Sequence, residues 1–193
     1  MARTAARVTT LARQLTAERG LSGFTVEEVC ERADISRRTF FNYFASKDDA
    51  VLGRSLHRDD DEHVAEFLAR GASPTLLDDL ATLTARRWAD ADMTIERWRD
   101  IHAAVEAEPR LLAKFVGHLF ADQQSDVELV ERREGLPPGD LRAAAAVQIV
   151  GALATSAVPA FLAEGNETSF ADLLARRLDA ARALLTTETE RTP

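Results

Sequence analysis

Apolar residues recur along this chain at helical spacing almost from end to end. Val8, Leu11, Ala12 and Leu15 stand at i, i+3, i+4 and i+7, on one face of a first helix that Gly20 and Gly23 end. Thr25-Val26-Glu27-Glu28 has the spacing of a capping box, with Thr25 as N-cap and Glu28 reaching back, and opens a short helix to about Ala33. Ser36 is placed to cap a third helix, in which Phe40 and Phe44 share a face. Ser46-Lys47-Asp48-Asp49 reads as a second capping box. It opens a long fourth helix, Lys47 to about Ala69, with Leu52, Leu56, Val64, Phe67 and Leu68 on its apolar side. Ser73-Pro74, a cap followed by Pro at the first helical position, starts a helix to about Ala89. Further helices are expected over Met93 to Ala107, Pro109 to Arg133, Asp140 to Leu162 with a kink at Pro159, and Ser169 to Leu185. Gly135-Leu136-Pro137-Pro138-Gly139 is the clearest break, and the tail from Thr186 to Pro193 shows no packing pattern. No β-alternation and no internal repeat interrupts this pattern, so the chain reads as all-α.

Two short helices joined by Asp34-Ile35 cannot lie antiparallel, and a turn of that length gives helix-turn-helix geometry. Asp34 falls where the chain needs a left-handed residue, which Asp tolerates better than most. Small Cys30 and Ala33 let the two helices approach closely. In this geometry the second helix enters the DNA major groove with its N-terminal residues at base edges. Those residues are Arg37 and Arg38, whose guanidinium forks match guanine O6 and N7. The helix starts at Thr25 and Lys47 offer backbone amides and a cation to phosphates.

Charge first argues the other way. The 193 residues carry 24 Lys+Arg against 32 Asp+Glu, a net charge of −8, whereas nucleic-acid binders usually show a basic surplus. Split along the chain, residues 1–47 hold eight basic and five acidic residues, a net +3, and residues 48–193 hold 16 and 27, a net −11. A basic module, 1–47, joined to an acidic body, 48–193, suggests two partners. Apolar residues at 46% and charged residues at 29% fit a globular chain rather than a disordered one. The single cysteine, Cys30, excludes an internal disulfide and a multi-cysteine zinc site. No apolar run of bilayer length is expected, and Met1 to Arg13 lacks the apolar core of a secretory signal, so the expected place is the cytoplasm with no membrane partner.

Three segments carry a specific resemblance: Thr25-Val26-Glu27-Glu28-Val29, Ala33-Asp34-Ile35-Ser36-Arg37-Arg38-Thr39-Phe40-Phe41-Asn42-Tyr43-Phe44, and Ser46-Lys47-Asp48-Asp49-Ala50-Val51. Together they resemble the DNA-binding domain of TetR-family transcriptional regulators, over roughly residues 4–55. The resemblance implies a three-helix DNA-binding domain followed by a helical ligand-binding and dimerisation domain. It implies a homodimer, most often a repressor, released from a palindromic DNA operator by a small-molecule effector. Carried over by position, Arg37, Arg38 and Asn42 face bases, Tyr43 and Lys47 meet phosphates, Thr25 assists at a helix N-terminus, and Ser36 and Thr39 belong to the same surface. Two positions depart from the family pattern. Phe41 stands where Tyr is usual and keeps only an apolar contact such as a thymine methyl, and Asp34 replaces the usual turn Gly.

In the body, Trp88, Trp98, His102 and Phe115 are candidates to line an effector pocket, since apolar cavities with a few polar groups hold small molecules. Apolar stripes at Val150, Ala154, Ala157 and Phe161, and at Phe170, Leu174, Leu178 and Leu185, suit either monomer packing or pairing with a second copy. Arg58-Asp59-Asp60-Asp61-Glu62-His63 invites a metal, but consecutive helical residues diverge; His57 and Asp61 do share a face at i, i+4, but two ligands are not a site, and no metal or cofactor is expected. No phosphate loop, nucleophile elbow or zinc-protease motif points to an enzyme. Other readings left open are an activator, a regulator triggered by another protein, and a small-molecule binding protein with a vestigial DNA-binding module.

Overall fold

The computed structural model describes residues 2–56, 60–70, 75–91 and 94–189. These form ten helices and no strand: α1 Ala2–Arg19, α2 Val26–Arg32, α3 Arg37–Tyr43, α4 Lys47–Leu52, α5 Asp61–Ala69, α6 Leu76–Asp90, α7 Ile95–Ala107, α8 Pro109–Glu134, α9 Leu141–Phe161 and α10 Phe170–Thr189. The all-α class is as the periodicity requires.

The chain packs as two compact units. One contains residues 1–59 and 95–120, the other 60–94 and 121–193, so α8 gives its first half to one and its second half to the other. The boundary expected at residue 47 therefore does not coincide with the packing boundary. Ala50, Val51 and Leu52 of α4, Ala104 of α7 and Leu111 of α8 share one core with Val8, Leu15, Phe24, Val29, Phe40 and Phe44. Burying that face of α1 to α4 takes apolar side chains from helices more than forty residues further on, which local periodicity does not reveal.

The fourth helix is shorter than its apolar pattern suggests. α4 stops at Leu52 because Gly53 adopts φ 75°, and the Arg54 N–H donates to the Asp49 carbonyl at 2.8 Å, a left-handed C-terminal cap. The Arg13 guanidinium completes the cap, donating from Nε to the Val51 carbonyl at 2.8 Å. Burial pushes the Arg13 pKa down to about 10, against the raising influence of Asp100. Leu56 consequently lies outside any helix and is exposed, its N–H donating to the Tyr43 carbonyl at 2.7 Å.

In the second unit, the stripes Val150, Ala157, Phe170, Leu174 and Leu178 turn inward and share a core with Leu80 and Leu83 of α6 and Val130 of α8. Trp88 stacks on Phe170, with ring centroids 4.4 Å apart, and meets Phe161 edge-on at 6.0 Å. Two ionic clusters tie this unit together. Arg87 bridges Asp60 at 2.6 Å and Asp126 at 2.7 Å, which is why Asp60 does not cap α5 with its side chain. Asp79 is buried between Arg133 and Arg70, and Arg133 lies 4.5 Å over the Phe67 ring.

α9 is 21 residues long with a mean hydropathy of 1.6 over its most apolar window, so length and composition alone would let it cross a bilayer, contrary to the sequence expectation. Its runs of Ala are what hid it. Ala143, Ala146, Val147, Val150 and Ala157 are buried against protein, a pattern of a helix packed on one side. α9 continues through Pro159 to Phe161, and α10 extends to Thr189, four residues past the expected end. His57, the Ser73-Pro74 start, Met93 and the last four residues lie outside the described residues, as does the side chain of Leu185.

Candidate nucleic-acid interface

The first unit's candidate surface is built by two N-caps and one turn. The Thr25 hydroxyl accepts from the Glu28 N–H at 3.2 Å, and the Glu28 carboxylate accepts from the Thr25 N–H at 2.8 Å, so the expected capping box is formed. Arg19 adds a 3.0 Å ion pair to Glu28. The Thr25 backbone hydrogen bond first, then Arg19, hold the Glu28 carboxyl below its usual pKa. Asp34 has φ 47°, the left-handed value the turn needs, and it sends the chain into α3. Arg7 fixes the end of α2 by donating to the Ala33 carbonyl. Ser36 caps α3, accepting from the Thr39 N–H at 3.0 Å, and its hydroxyl lies 2.8 Å from the Thr39 hydroxyl.

These constraints give α3 two different sides. Phe40 and the following Phe44 are fully buried, which fixes the rotation of the helix. Arg37, Arg38 and Asn42 are then exposed, and Phe41 is 43% exposed and edge-on to Phe40 at 5.3 Å. Thr25 and Ser36 are exposed, while Thr39, Tyr43 and Lys47 are half-buried. The structure thus brings all nine expected residues to one unit, with Arg37 and Arg38 exposed at the N-terminal end of α3, Asn42 exposed near its C-terminal end and Thr25 exposed at the start of α2.

Two features of this surface were not legible in the sequence. Lys47 donates to the Phe24 carbonyl at 2.7 Å and lies 4.8 Å over the Phe24 ring, so it also anchors the loop before α2. Glu27 pairs with Arg37 at 3.0 Å. At α4, Ser46 accepts from the Asp49 N–H at 3.2 Å as an N-cap, but the expected reciprocal bond is not made. The Asp49 carboxylate instead takes the Ser46 hydroxyl at 2.7 Å, Lys114 at 2.8 Å and His118 at 2.8 Å. Cys30 is buried, and burial first, then Glu27, raise its thiol pKa.

Residues 8–52 match the model of the bacterial regulatory proteins, tetR family. The chain carries a TetR-family DNA-binding domain. The matched segment ends where α4 ends at Leu52, just before the left-handed Gly53. No curated protein matches the chain. The TetR domain makes the chain a DNA-binding transcriptional regulator, and the charge balance of its packed unit is consistent with that. The first unit holds 14 basic and 12 acidic residues and the second 10 and 20, so the acidic surplus lies wholly in the unit without the TetR domain.

The four pocket candidates are not brought together in one unit. Trp88 sits in the second unit, and Trp98, His102 and Phe115 in the first. Phe115 packs against the TetR-domain core, and exposed His102 stacks on Trp98 and lies 3.3 Å from Glu106.

Proposed function

We propose that the protein is a homodimeric repressor that reads a palindromic operator and is released by a small-molecule effector. The carrying observation is α3, which buries Phe40 while presenting Arg37, Arg38, Phe41 and Asn42 outward beside the capped start of α2. In this reading Arg37, Arg38 and Asn42 meet base edges and Phe41 a thymine methyl. Thr25, Ser36, Thr39, Tyr43 and Lys47 meet the sugar-phosphate backbone and fix the register. A palindrome needs two such heads, hence a two-fold dimer.

The acidic second unit is the natural place for an uncharged or cationic effector. Trp88 supports that placement: its indole N–H is buried with no acceptor among the described residues, beside the rings of Phe161 and Phe170. Selection of bound duplexes from a random pool, followed by anisotropy titrations at several salt concentrations, tests the reading. The enriched duplex should outcompete random DNA and lose affinity steeply with salt, by a slope of about −0.9 per phosphate contact. Failure of any sequence to outcompete random DNA at moderate salt would overturn it.

A further inference from the structure

The Glu27–Arg37 pair links the first turn of α2 to the first residue of α3 and takes no part in the capping of either helix. Glu27 is the second residue of α2, and the capping of that helix belongs to Glu28 and Thr25. The Glu27 and Arg37 side chains are 55% and 64% exposed, and exposed ion pairs of this kind contribute little to stability. A carboxylate on a surface that meets phosphates also costs binding unless it does something specific there. Yet Glu27 Oε1 lies 3.0 Å from Arg37 Nη1, and the Arg37 guanidinium carbon lies 5.9 Å from the Phe41 ring centroid.

We infer that Glu27 is a specificity-determining positioning residue. It holds one edge of the Arg37 guanidinium, Phe41 sits to one side of the group, and another edge remains to donate to guanine O6 and N7. A guanidinium has five N–H donors in a rigid planar fork, so it can accept a carboxylate and a base together. An Arg without such a support sweeps over phosphates and bases alike. The pair also offsets the Arg37 charge, which lowers attraction to DNA of any sequence. The inference rests on the proposed base-reading role of Arg37.

Selection from a random duplex pool with the full chain and with Glu27→Gln, Glu27→Ala, Arg37→Ala and the Glu27→Ala/Arg37→Ala double variant provides the test. Arg37→Ala should erase the preference at one base pair of each half-site. Both Glu27 variants should relax the preference at that same pair by about tenfold, within the range of a good bidentate contact. Affinity for unrelated duplex should hold or rise, and thermal unfolding should stay unchanged. On the Arg37→Ala background, Glu27→Ala should add nothing at that pair. An unaltered preference in both Glu27 variants, with Arg37→Ala still relaxing it, would overturn the inference alone. An unaltered preference in Arg37→Ala would overturn the reading of Arg37 as well.

Discussion

Lys114 Nζ lies 2.8 Å from Asp49 Oδ2, and His118 Nε2 lies 2.8 Å from the other oxygen of the same carboxylate. Arg110 pairs with the neighbouring Asp48 at 3.1 Å, so successive turns of α8 grip the start of α4, whose first residue is Lys47. The Asp49 side chain is only 4% exposed. Burial is the largest influence on its pKa and raises it, but hydrogen bonds from Lys114, Ser46 and His118, with the Lys114 charge, outweigh burial and hold the carboxyl below its ordinary value.

That balance sets a pH dependence. A carboxyl with a depressed folded pKa stabilises fully above its unfolded value of about 3.9 and loses the contribution as pH falls through the lower folded value. Stability of the first unit should therefore fall with acid below about pH 4. Asp49→Asn should cost about 1–2 kcal/mol at neutral pH, since Lys114 can still reach water. It should also flatten the acid limb in thermal unfolding scans. Glu28 has a depressed pKa too and remains in both proteins, so the difference between the two curves is the quantity to read.

Gly23 separates backbone strain from ordinary helix propensity. A Cβ at Gly23 would lie 2.2 Å from the Arg19 carbonyl oxygen, which is backbone and cannot swing away. Gly23→Ala should destabilise by about 1–3 kcal/mol in urea unfolding. At Gly117 and Gly151, inside α8 and α9, a Cβ meets nothing within 4 Å. Alanine at those sites should instead stabilise, by up to about 1 kcal/mol. A neutral Gly23→Ala would mean that the turn between α1 and α2 relaxes without cost.

Arg37 and Lys47 should respond differently when removed. Arg37→Ala should cost about 1–3 kcal/mol on the selected duplex and relax base preference. Lys47→Ala should weaken all sequences alike and reduce the salt slope by about one. Because Lys47 also holds the Phe24 carbonyl, its removal should lower thermal stability, which Arg37→Ala should not. Identical binding behaviour of the two variants would remove the division between base and phosphate contacts.

What was readable in the sequence was local. Thr25 with Glu28, Ser36 with Thr39 and the strained Asp34 all act within three residues, so spacing alone located them. What was not readable depends on distant partners. Asp49 has the right spacing for a capping box, but Lys114 and His118, more than sixty residues away, claim its carboxylate. Gly53 sits in a run whose apolar spacing continues past it, and the Arg13 guanidinium at the last carbonyls of α4 completes the stop. The Glu27–Arg37 pair joins two helices across the turn, and neither residue signals the other by spacing.

The dimer prediction follows from which face of α9 remains outside the core. The stripe through Val150 and Ala157 is used within the second unit, so the surface available to a second copy is another one. Ala145, Ile149, Ala152 and Ser156 stand at i, i+4, i+7 and i+11 on α9 and are all exposed. Leu184 of α10 is 71% exposed. Three small residues around Ile149 would let two helices approach closely, and a large apolar side chain on an exposed helix face loses water-accessible area when covered. Ile149→Asp should therefore yield a monomer by light scattering while leaving helical content and urea unfolding nearly unchanged, since Ile149 lies outside the core. The same variant should lose most affinity for a palindromic duplex but retain weak binding to a half-site. A dimer that survives Ile149→Asp combined with Leu184→Arg would place the second copy on some other surface.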